Sequence, residues 1–289
     1  MAARLILNAD DFGLTHGVNR AIRELHQAGA LTSATLMATG PAFDDAVAIA
    51  HAHPSLGVGL HIVLTDGLPV SRPASISTLL GPDGRRFRPS LLDFLQALLR
   101  GKISETEIER EALAQLHKLQ HAGIRVTHLD THKHTHLFPR VTRPLLRIAE
   151  TNSIRAIRNP FEHPWSLALG HGARLRRLQV QLLGSLRTRF NNHRQIRTAS
   201  VRTTNGTIGV SATGDLTPAT LQQLLTNMPD GVWELVCHPG YNDRELDAIP
   251  TRLRTQREIE LHALLTELPK RLSLPNPPQL IHYGNLGEP

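Results

Sequence analysis

The chain has 289 residues, a formal net charge of +7 and 40% hydrophobic residues. This length suits one large α/β domain or two small ones, and the hydrophobic content is ordinary for a soluble globular protein. No apolar run approaches the roughly 20 residues that span a bilayer, and the apolar stretch after Arg4 is too short for a signal peptide. Cys237 is the only cysteine, which excludes an intramolecular disulfide and makes a cytoplasmic location and a buried strand position the expectations.

The positive charge is confined to one segment. No Asp or Glu lies between Glu162 and Asp215, and this interval holds eight arginines: Arg174, Arg176, Arg177, Arg187, Arg189, Arg194, Arg197 and Arg202. The segment alone carries +8 against +7 for the whole chain, so the remainder is slightly acidic. The basic charge therefore indicates a local patch and not a basic fold.

Strand and helix patterns alternate along the chain. The predicted strands are a run from Leu5 to two carboxylates and residues 32–38, 57–65, 125–130, 155–158, 234–237 and 280–283. The predicted helices begin near Val18 and cover residues 42–53, 91–99, 105–121, 139–150, 217–226 and 251–268. This alternation, without an internal repeat or a dividing linker, predicts an α/β fold in one domain over residues 1–289, with a parallel sheet or a (β/α) barrel.

Two local patterns interrupt or delimit these elements. Residues 66–89 are rich in Pro, Gly and Ser, and a loop of this length in a compact domain is often an active-site cover. Ser104 and Glu107 match the capping box that begins a helix. The sequence therefore predicts a cover segment followed by a capped helix.

Two adjacent carboxylates, Asp10 and Asp11, end the first predicted strand before Gly13 breaks the pattern. A strand that ends in carboxylates and turns into a helix places reactive groups at the carboxyl edge of an α/β sheet. Neighbouring strand side chains point to opposite faces, so one carboxylate is expected to hold a metal and the other to act as a base. Alternatively, the pair forms a turn and a helix cap.

Four histidines at alternate positions surround Asp130: His128, His132, His134 and His136. In an extended chain all five side chains point to one face, and imidazoles beside carboxylates suit a divalent transition metal. The alternative is that these histidines are solvated or hydrogen-bonded in a core. They cannot all be ligands, so His128 is expected to support a ligand and His136 to face substrate or solvent.

Two further histidines end predicted strands. His61 would on its own more often be a core histidine, but beside Asp11 and His132 it is the natural third ligand. One carboxylate and two imidazoles leave positions open for water and substrate. His238 precedes Pro239, and a histidine side chain at this position suits a general acid as well as a turn cap.

The order of these motifs carries a resemblance. The sequence resembles the YdjC-like carbohydrate deacetylases from Leu5 to about Tyr283. The motifs that carry the resemblance are Asn-Ala-Asp-Asp-Phe-Gly from Asn8, Gly-Leu-His ending at His61, His-Leu-Asp-Thr-His-Lys-His from His128 and Cys-His-Pro-Gly-Tyr from Cys237. The resemblance implies a deformed (β/α) barrel and a metal-dependent enzyme that removes acetyl groups from amino sugars. Residues 58–64 and 66–70 are most similar to the subgroup encoded with hopanoid biosynthesis, which implies an N-acetylglucosaminyl hopanoid head group as substrate.

The same resemblance implies roles for individual residues. Asp11, His61 and His132 would hold one divalent metal, Zn²⁺ or Mg²⁺, with Asp10 as general base and His238 as general acid. The expected substrate-binding residues are Arg158, His134 and Tyr241, and for Arg158 a structural role is an equal alternative. No Ser nucleophile is required, and the sequence holds no Gly-x-Ser-x-Gly elbow.

Leucines interleave with the arginines of residues 163–214. An amphipathic basic segment can lie on an anionic membrane, which would suit a lipid-linked sugar at the inner face of the membrane. The alternative is an ordinary barrel helix with a solvated arginine face. No nucleic-acid-binding module is recognisable, and a homodimer is left open.

Three other functions compete with deacetylation of a lipid-linked sugar. One is deacetylation of soluble chitooligosaccharides. Another is a metal-dependent phosphoesterase, although such enzymes often use two metals with bridging carboxylates. The third is a non-catalytic protein that binds glycolipid head groups, for which loss of the Asp10 charge would leave binding intact.

Overall fold

Seven parallel strands form the centre of the computed structural model, which describes residues 3–170, 172 and 174–287. The strands are β1 Arg4–Phe12, β2 Ser33–Leu36, β3 Gly57–Ile62, β4 Leu129–Thr131, β5 Gly206–Ile208, β6 Val232–Cys237 and β7 Gln279–Leu280. Their order is β4-β3-β2-β1-β6-β5, and β7 pairs with the first residues of β1. All ladders are parallel, as the alternation of elements predicts.

Residues 156–162 join the two edge strands of this sheet. Single parallel bridges connect this segment to β4 on one side and to β5 and its preceding residues on the other: Leu129–Ile157, Ala156–Arg202 and Glu162–Thr207. The sheet therefore curls into a deformed (β/α) barrel, which confirms the predicted fold. Residues 155–158, which were predicted to form a strand, take part only in isolated bridges and form no continuous ladder.

Helices surround the sheet. Within the described residues they are α1 His16–Gln27, α2 Phe43–Ala52, α3 Leu91–Leu99, α4 Glu105–His121, α5 Pro139–Thr151, α6 Pro164–Ala168, α7 Arg174–Leu183, α8 Arg187–Asn191, α9 Arg194–Arg197, α10 Pro218–Thr226, α11 Arg244–Asp247 and α12 Thr255–Ser273. The spacing of Val18, Ile22 and Leu25 places them on the buried face of α1, as expected. The predictions missed β5, α6, α8, α9 and α11, which are too short to show a periodic apolar pattern. Helix α7 lies in the basic segment, for which a helix with a solvated arginine face was one of the two alternatives.

The segment of residues 66–89 is fastened to α4. Both carboxylate oxygens of Glu111 accept backbone N–H groups, from Val70 and Ser71, at 2.9 Å. Glu107 accepts the N–H and the hydroxyl of Thr78, each at 2.7 Å. The predicted capping box is therefore wrong: Ser104 makes no side-chain cap, because the Glu107 carboxylate binds this segment instead.

The single cysteine lies inside the fold. Cys237 is fully buried on β6, and its Sγ donates to the carbonyl oxygen of Asn8 at 3.3 Å. Burial raises the pKa of this thiol well above its ordinary value. It is therefore a structural residue, as predicted. Throughout the part of the chain that the structure describes, every helix is too short or too polar to cross a bilayer.

Candidate active site

A β-bulge at the end of β1 sets the directions of two carboxylates. The register between β1 and β2 shifts between Ala9 and Phe12, and Asp11 has a left-handed backbone with φ +65°. Asp adopts this conformation more readily than most residues. Asp10 and Asp11 both lie within reach of the imidazole of His61, so the expectation that they point to opposite faces is wrong.

Asp11, His61 and His132 form a triangle of donor atoms. Oδ1 of Asp11 lies 3.7 Å from Nε2 of His61 and 3.4 Å from Nδ1 of His132, and the two nitrogens are 3.3 Å apart. A tetrahedral metal with bonds of about 2.1 Å separates its ligand atoms by roughly 3.4 Å. The residues therefore fit a divalent cation. The side chain of His132 is 23% exposed, against 1% for His61, so the triangle opens on the His132 side.

A second acidic group shares His61 but is already neutralised. It comprises Asp10, His61 and Asp130, all buried. Arg158 binds both oxygens of Asp10, at 2.6 and 2.9 Å, and its Nη1 lies 2.5 Å from Oδ2 of Asp130. The Asp11 triangle is therefore the better candidate for a metal.

The tautomer of His61 is fixed by Asp130. Nδ1–H of His61 donates to Oδ1 of Asp130 at 2.8 Å, which directs Nε2 towards Asp11 and His132. Burial lowers the pKa of His61, but the carboxylates of Asp130, Asp10 and Asp11 outweigh this effect and raise it to about 9. The metal-free site therefore holds a proton on His61 that a cation would replace.

Arg257 binds the other oxygen of Asp11. Its Nη2 donates to Oδ2 at 2.6 Å, and the guanidinium is buried. Burial alone would raise the pKa of Asp11, but Arg257 and His132 hold it well below its ordinary value. The sequence analysis missed Arg257, since it lies within α12 without any local motif to mark it.

Asp10 is held as a carboxylate. Besides the two bonds from Arg158, its Oδ1 accepts from Oγ1 of Thr35 and Nδ2 of Asn8, both at 3.2 Å. Burial raises the pKa of Asp10, but Arg158 and His61 lower it far below the ordinary range. Asp10 is therefore held as an ionised carboxylate in a fixed orientation.

Arg158 lies underneath this carboxylate and has no exposed surface. It also donates from Nε to Glu234 at 2.9 Å. The predicted substrate-binding role does not fit this position, because no atom of the side chain reaches the surface. The structural alternative fits it: the guanidinium joins three carboxylates and orients Asp10 and Asp130.

Behind Arg158 lies a further buried layer. The hydroxyl of Tyr283 donates to Glu234, and the ring of Tyr283 stacks on His128 with centroids 3.8 Å apart. Burial raises the pKa of Glu234 to about 7, although Arg158 lowers it. His128 is fully buried and supports this layer from behind.

His238 reaches the same centre from the end of β6. Its Nε2 lies 3.7 Å from Oδ2 of Asp10, and its side chain is 12% exposed. Its backbone N–H donates to Oε2 of Glu260 at 2.6 Å, which fixes the position of the residue. His238 thus stands between Asp10 and the solvent, where a proton donor to a leaving group would be needed.

The histidine run does not continue as a strand. β4 ends at Thr131, and His132–Leu137 form a short 3₁₀ segment in which Lys133 and His134 have left-handed backbones with φ +56° and +52°. The five side chains therefore do not share one face, contrary to the expectation for an extended chain. Lys133 forms an ion pair with Asp66, which ties the 66–89 segment to the residue after His132.

The last two histidines of the run lie apart from the triangle. His136 was expected to face substrate or solvent, but it is fully buried, with Nδ1 2.6 Å from Oγ1 of Thr131. Burial lowers the pKa of His136 to about 3. His134 is half-buried, and burial holds its pKa well below the ordinary value. A substrate-binding role for His134 stays a prediction.

Tyr241 lies against α1. Its hydroxyl donates to Oε2 of Glu24 at 2.5 Å, and the guanidinium carbon of Arg20 lies 3.6 Å from its ring centroid. Its polar end is therefore bound by α1, and a role in substrate binding stays a prediction. The structure thus brings together Asp10, Asp11, His61, His132 and His238, whose chemical roles stay predictions, and it adds Arg257 to them.

Comparisons with known proteins agree with this arrangement of motifs. The family model described as YdjC-like protein matches residues 4–272. A carbohydrate deacetylase of Brevibacillus brevis is 34% identical over 285 residues, which cover 98% of this chain and 100% of that protein. A carbohydrate deacetylase of Geobacillus stearothermophilus is 41% identical over 160 residues, 55% of this chain and 61% of that protein.

A solved structure is similar in fold. It is the crystal structure of a candidate cellobiose-phosphate cleavage protein from Enterococcus faecalis, with a TM-score of 0.78 and 24% identity over 99% of each chain. At this identity the likeness concerns the fold alone. With a family model that matches most of its length and a relative 34% identical from end to end, the chain belongs to the family of YdjC-like proteins.

Proposed function

We propose that this protein is a metal-dependent hydrolase that removes the N-acetyl group from an acetylated amino sugar. The observation that carries the proposal is the open triangle of Asp11, His61 and His132, with Asp10 and His238 at the same centre. The names of the Brevibacillus and Geobacillus relatives, both carbohydrate deacetylases, support the substrate class.

The triangle favours one transition-metal ion per chain. Its edges of 3.3 to 3.7 Å are close to the tetrahedral spacing, whereas octahedral Mg²⁺ with bonds of about 2.1 Å separates adjacent ligands by roughly 2.9 Å. Two imidazoles also suit Zn²⁺ better than Mg²⁺. Arg158 neutralises the neighbouring carboxylates, which argues against the two-metal arrangement of a phosphoesterase.

The bound metal would polarise the acetamide carbonyl and lower the pKa of a water molecule. Asp10 accepts a proton from the attacking water while the water oxygen bonds to the carbonyl carbon. Arg158 keeps Asp10 ionised and oriented for this transfer. His238 donates a proton to the departing nitrogen as the C–N bond breaks, and the products are acetate and a free amino sugar.

We further infer that the amino sugar is lipid-linked, as in the N-acetylglucosaminyl head group of a hopanoid. The similarity of residues 58–64 and 66–70 to the hopanoid-associated subgroup motivates this substrate. Leu68, 55% exposed, supports it: the side chain lies on the segment that Asp66 ties to Lys133, next to His132. This exposed leucine offers an apolar contact to a hydrocarbon neighbour of the sugar.

The test is acetate release from chitobiose and from an N-acetylglucosaminyl lipid, with a chelator and with added Zn²⁺. We expect chelator-sensitive release from the lipid, and release from chitobiose alone would select the soluble oligosaccharide instead.

Asp10→Asn should keep the metal and lose about 10²- to 10⁴-fold in turnover, whereas Asp44→Asn on the exposed face of α2 should have full activity. Turnover in Asp10→Asn equal to wild type would refute the assigned base.

A further inference from the structure

Helix α7 presents its leucines to the solvent. Leu175, Leu178 and Leu182 are 68%, 52% and 65% exposed, and their spacing places them along one side of the helix. The opposite side, which includes Val180 and Leu183, is only partly buried, and no residue of α7 is fully buried. We call Leu175, Leu178 and Leu182 the leucine stripe. The stripe cannot stabilise the fold, because it contacts water.

A basic groove lies beside the stripe. It has a volume of about 610 Å³ and is lined by Arg174, Arg177 and Arg187 together with Leu178. Arg177 and Arg187 each donate to a backbone carbonyl oxygen, and among the described residues neither they nor Arg174 form an ion pair with a carboxylate. The positive charge of this surface is therefore not neutralised by the protein itself.

Among the described residues that line the groove, Glu162 is the only carboxylate, and it is not available to these arginines. Glu162 is buried, and it accepts from Oγ of Ser166 at 2.6 Å and from the backbone N–H of Ser211 at 2.6 Å. After Glu162, the next Asp or Glu in the sequence is Asp215. An apolar stripe beside an unneutralised row of arginines matches a surface that is both apolar and anionic.

The positive charge beside the leucine stripe favours one of the partners that could cover it. A second copy of the chain packed on the same face would bring two sets of arginines together, and like charges oppose such a symmetric contact. A bilayer that contains anionic lipids offers phosphates to the arginines and an acyl boundary to the leucines. In a helix that lies in the membrane interface, the leucine side chains enter the apolar boundary and the arginine side chains keep their charged ends at the phosphates.

We propose that the leucine stripe of α7, with Arg174, Arg177 and Arg187, binds the surface of an anionic lipid bilayer. The leucines enter the boundary between head groups and acyl chains, and the arginines bind lipid phosphates. The proposal is independent of the proposed deacetylation. If the substrate is lipid-linked, the same surface brings the enzyme to the membrane that holds it.

The first experiment is co-sedimentation of the purified full chain with vesicles of phosphatidylcholine mixed with phosphatidylglycerol, and with vesicles of phosphatidylcholine alone. We expect binding to the mixed vesicles only, weakened by added salt. The triple variant Leu175→Ser, Leu178→Ser, Leu182→Ser should lose at least about tenfold in binding, because apolar area and charge act together. The matched control is Leu92→Ser with Leu99→Ser on α3, two leucines that are 64% and 75% exposed.

A second variant tests the charge separately. Arg174→Gln with Arg177→Gln should bind the mixed vesicles about 25-fold more weakly, since each arginine near an anionic surface contributes about a fivefold factor. It also keeps the test decisive if the leucine variant fails to fold. All variants should release acetate from a soluble substrate like the wild type, so a failure of vesicle binding and a failure of the proposed function are distinguishable.

Three outcomes would overturn the proposal. One is equal binding to both kinds of vesicle, and another is undiminished binding by the leucine and arginine variants. The third is a wild-type dimer in solution that the leucine variant converts to a monomer, with no vesicle binding, since the stripe would then be an interface between copies.

Discussion

Nη2 of Arg257 donates to Oδ2 of Asp11 at 2.6 Å, across 246 positions of the chain. The bond occupies one carboxylate oxygen and leaves Oδ1 to face His61 and His132. A buried arginine thus selects which oxygen of a candidate metal ligand is free. It also lowers the pKa of Asp11, so the carboxylate is ionised before any cation arrives.

Replacing Arg257 should therefore weaken metal binding. We expect Arg257→Gln to reduce Zn²⁺ affinity by about 10- to 100-fold, as is usual when a residue that orients a ligand is lost. The measurement is competition with a chromogenic chelator. Arg254→Gln is the control, because Arg254 pairs with Asp247, outside the candidate site. Equal affinities in the two variants would show that Asp11 needs no such orientation.

His132 and His134 should differ in their effect on bound metal. His132→Ala removes one corner of the donor triangle and should yield protein without metal after gel filtration. His134→Ala should retain one metal per chain, since His134 is no part of the triangle. Metal content by elemental analysis decides between them, and a metal-free His134→Ala protein would require a different ligand set.

Glu234 should make the protein less stable as the pH rises. Its ordinary pKa of 4.5 is raised to about 7 in the folded state, chiefly by burial. Between these two values the folded protein holds a proton that the unfolded chain has released, so stability is lost as the pH increases through this window.

Glu234→Gln should remove this pH dependence. The unfolding free energies of wild type and variant are measured by urea denaturation from pH 4 to pH 8. Their difference should change in favour of the variant as the pH rises. Glu109→Gln serves as the control, because Glu109 is a partly buried residue of α4 that pairs with Arg147. A constant difference across the range would show that folding does not raise the pKa of Glu234.

Glu111 should restrain the 66–89 segment. Glu111→Ala removes the acceptor of the Val70 and Ser71 N–H groups, and each hydrogen bond to a charged group contributes about 1.5–3 kcal/mol. Amide hydrogen exchange of these two residues should therefore accelerate at least about tenfold. The control Glu109→Ala, which removes another carboxylate of α4, should leave their exchange rates unchanged.

Much of the site could be predicted because parallel strands end at a common edge. Asp11, His61 and His132 each follow or end a strand whose apolar run is visible in the sequence, and the structure places them together. The same rule placed His238 near Asp10. These residues are close because of strand order, which the alternation of elements largely determines.

Other features depend on backbone geometry that residue patterns do not encode. The bulge at Asp11 and the left-handed residues Lys133 and His134 changed the directions of the side chains that follow them. The capping box failed because Glu107 found a better partner in Thr78, a tertiary contact. Arg158 had two equal interpretations, and only its burial beneath Asp10 distinguished them.

The left-handed conformation of Asp11 limits what evolution or design can place there. Glu would keep the charge but adopts positive φ reluctantly, whereas Asn would keep the backbone and lose the charge. Neither conservative exchange preserves both properties. The position therefore tolerates fewer substitutions than its chemistry alone suggests, and any transplant of this donor triangle into another barrel must carry the bulge with it.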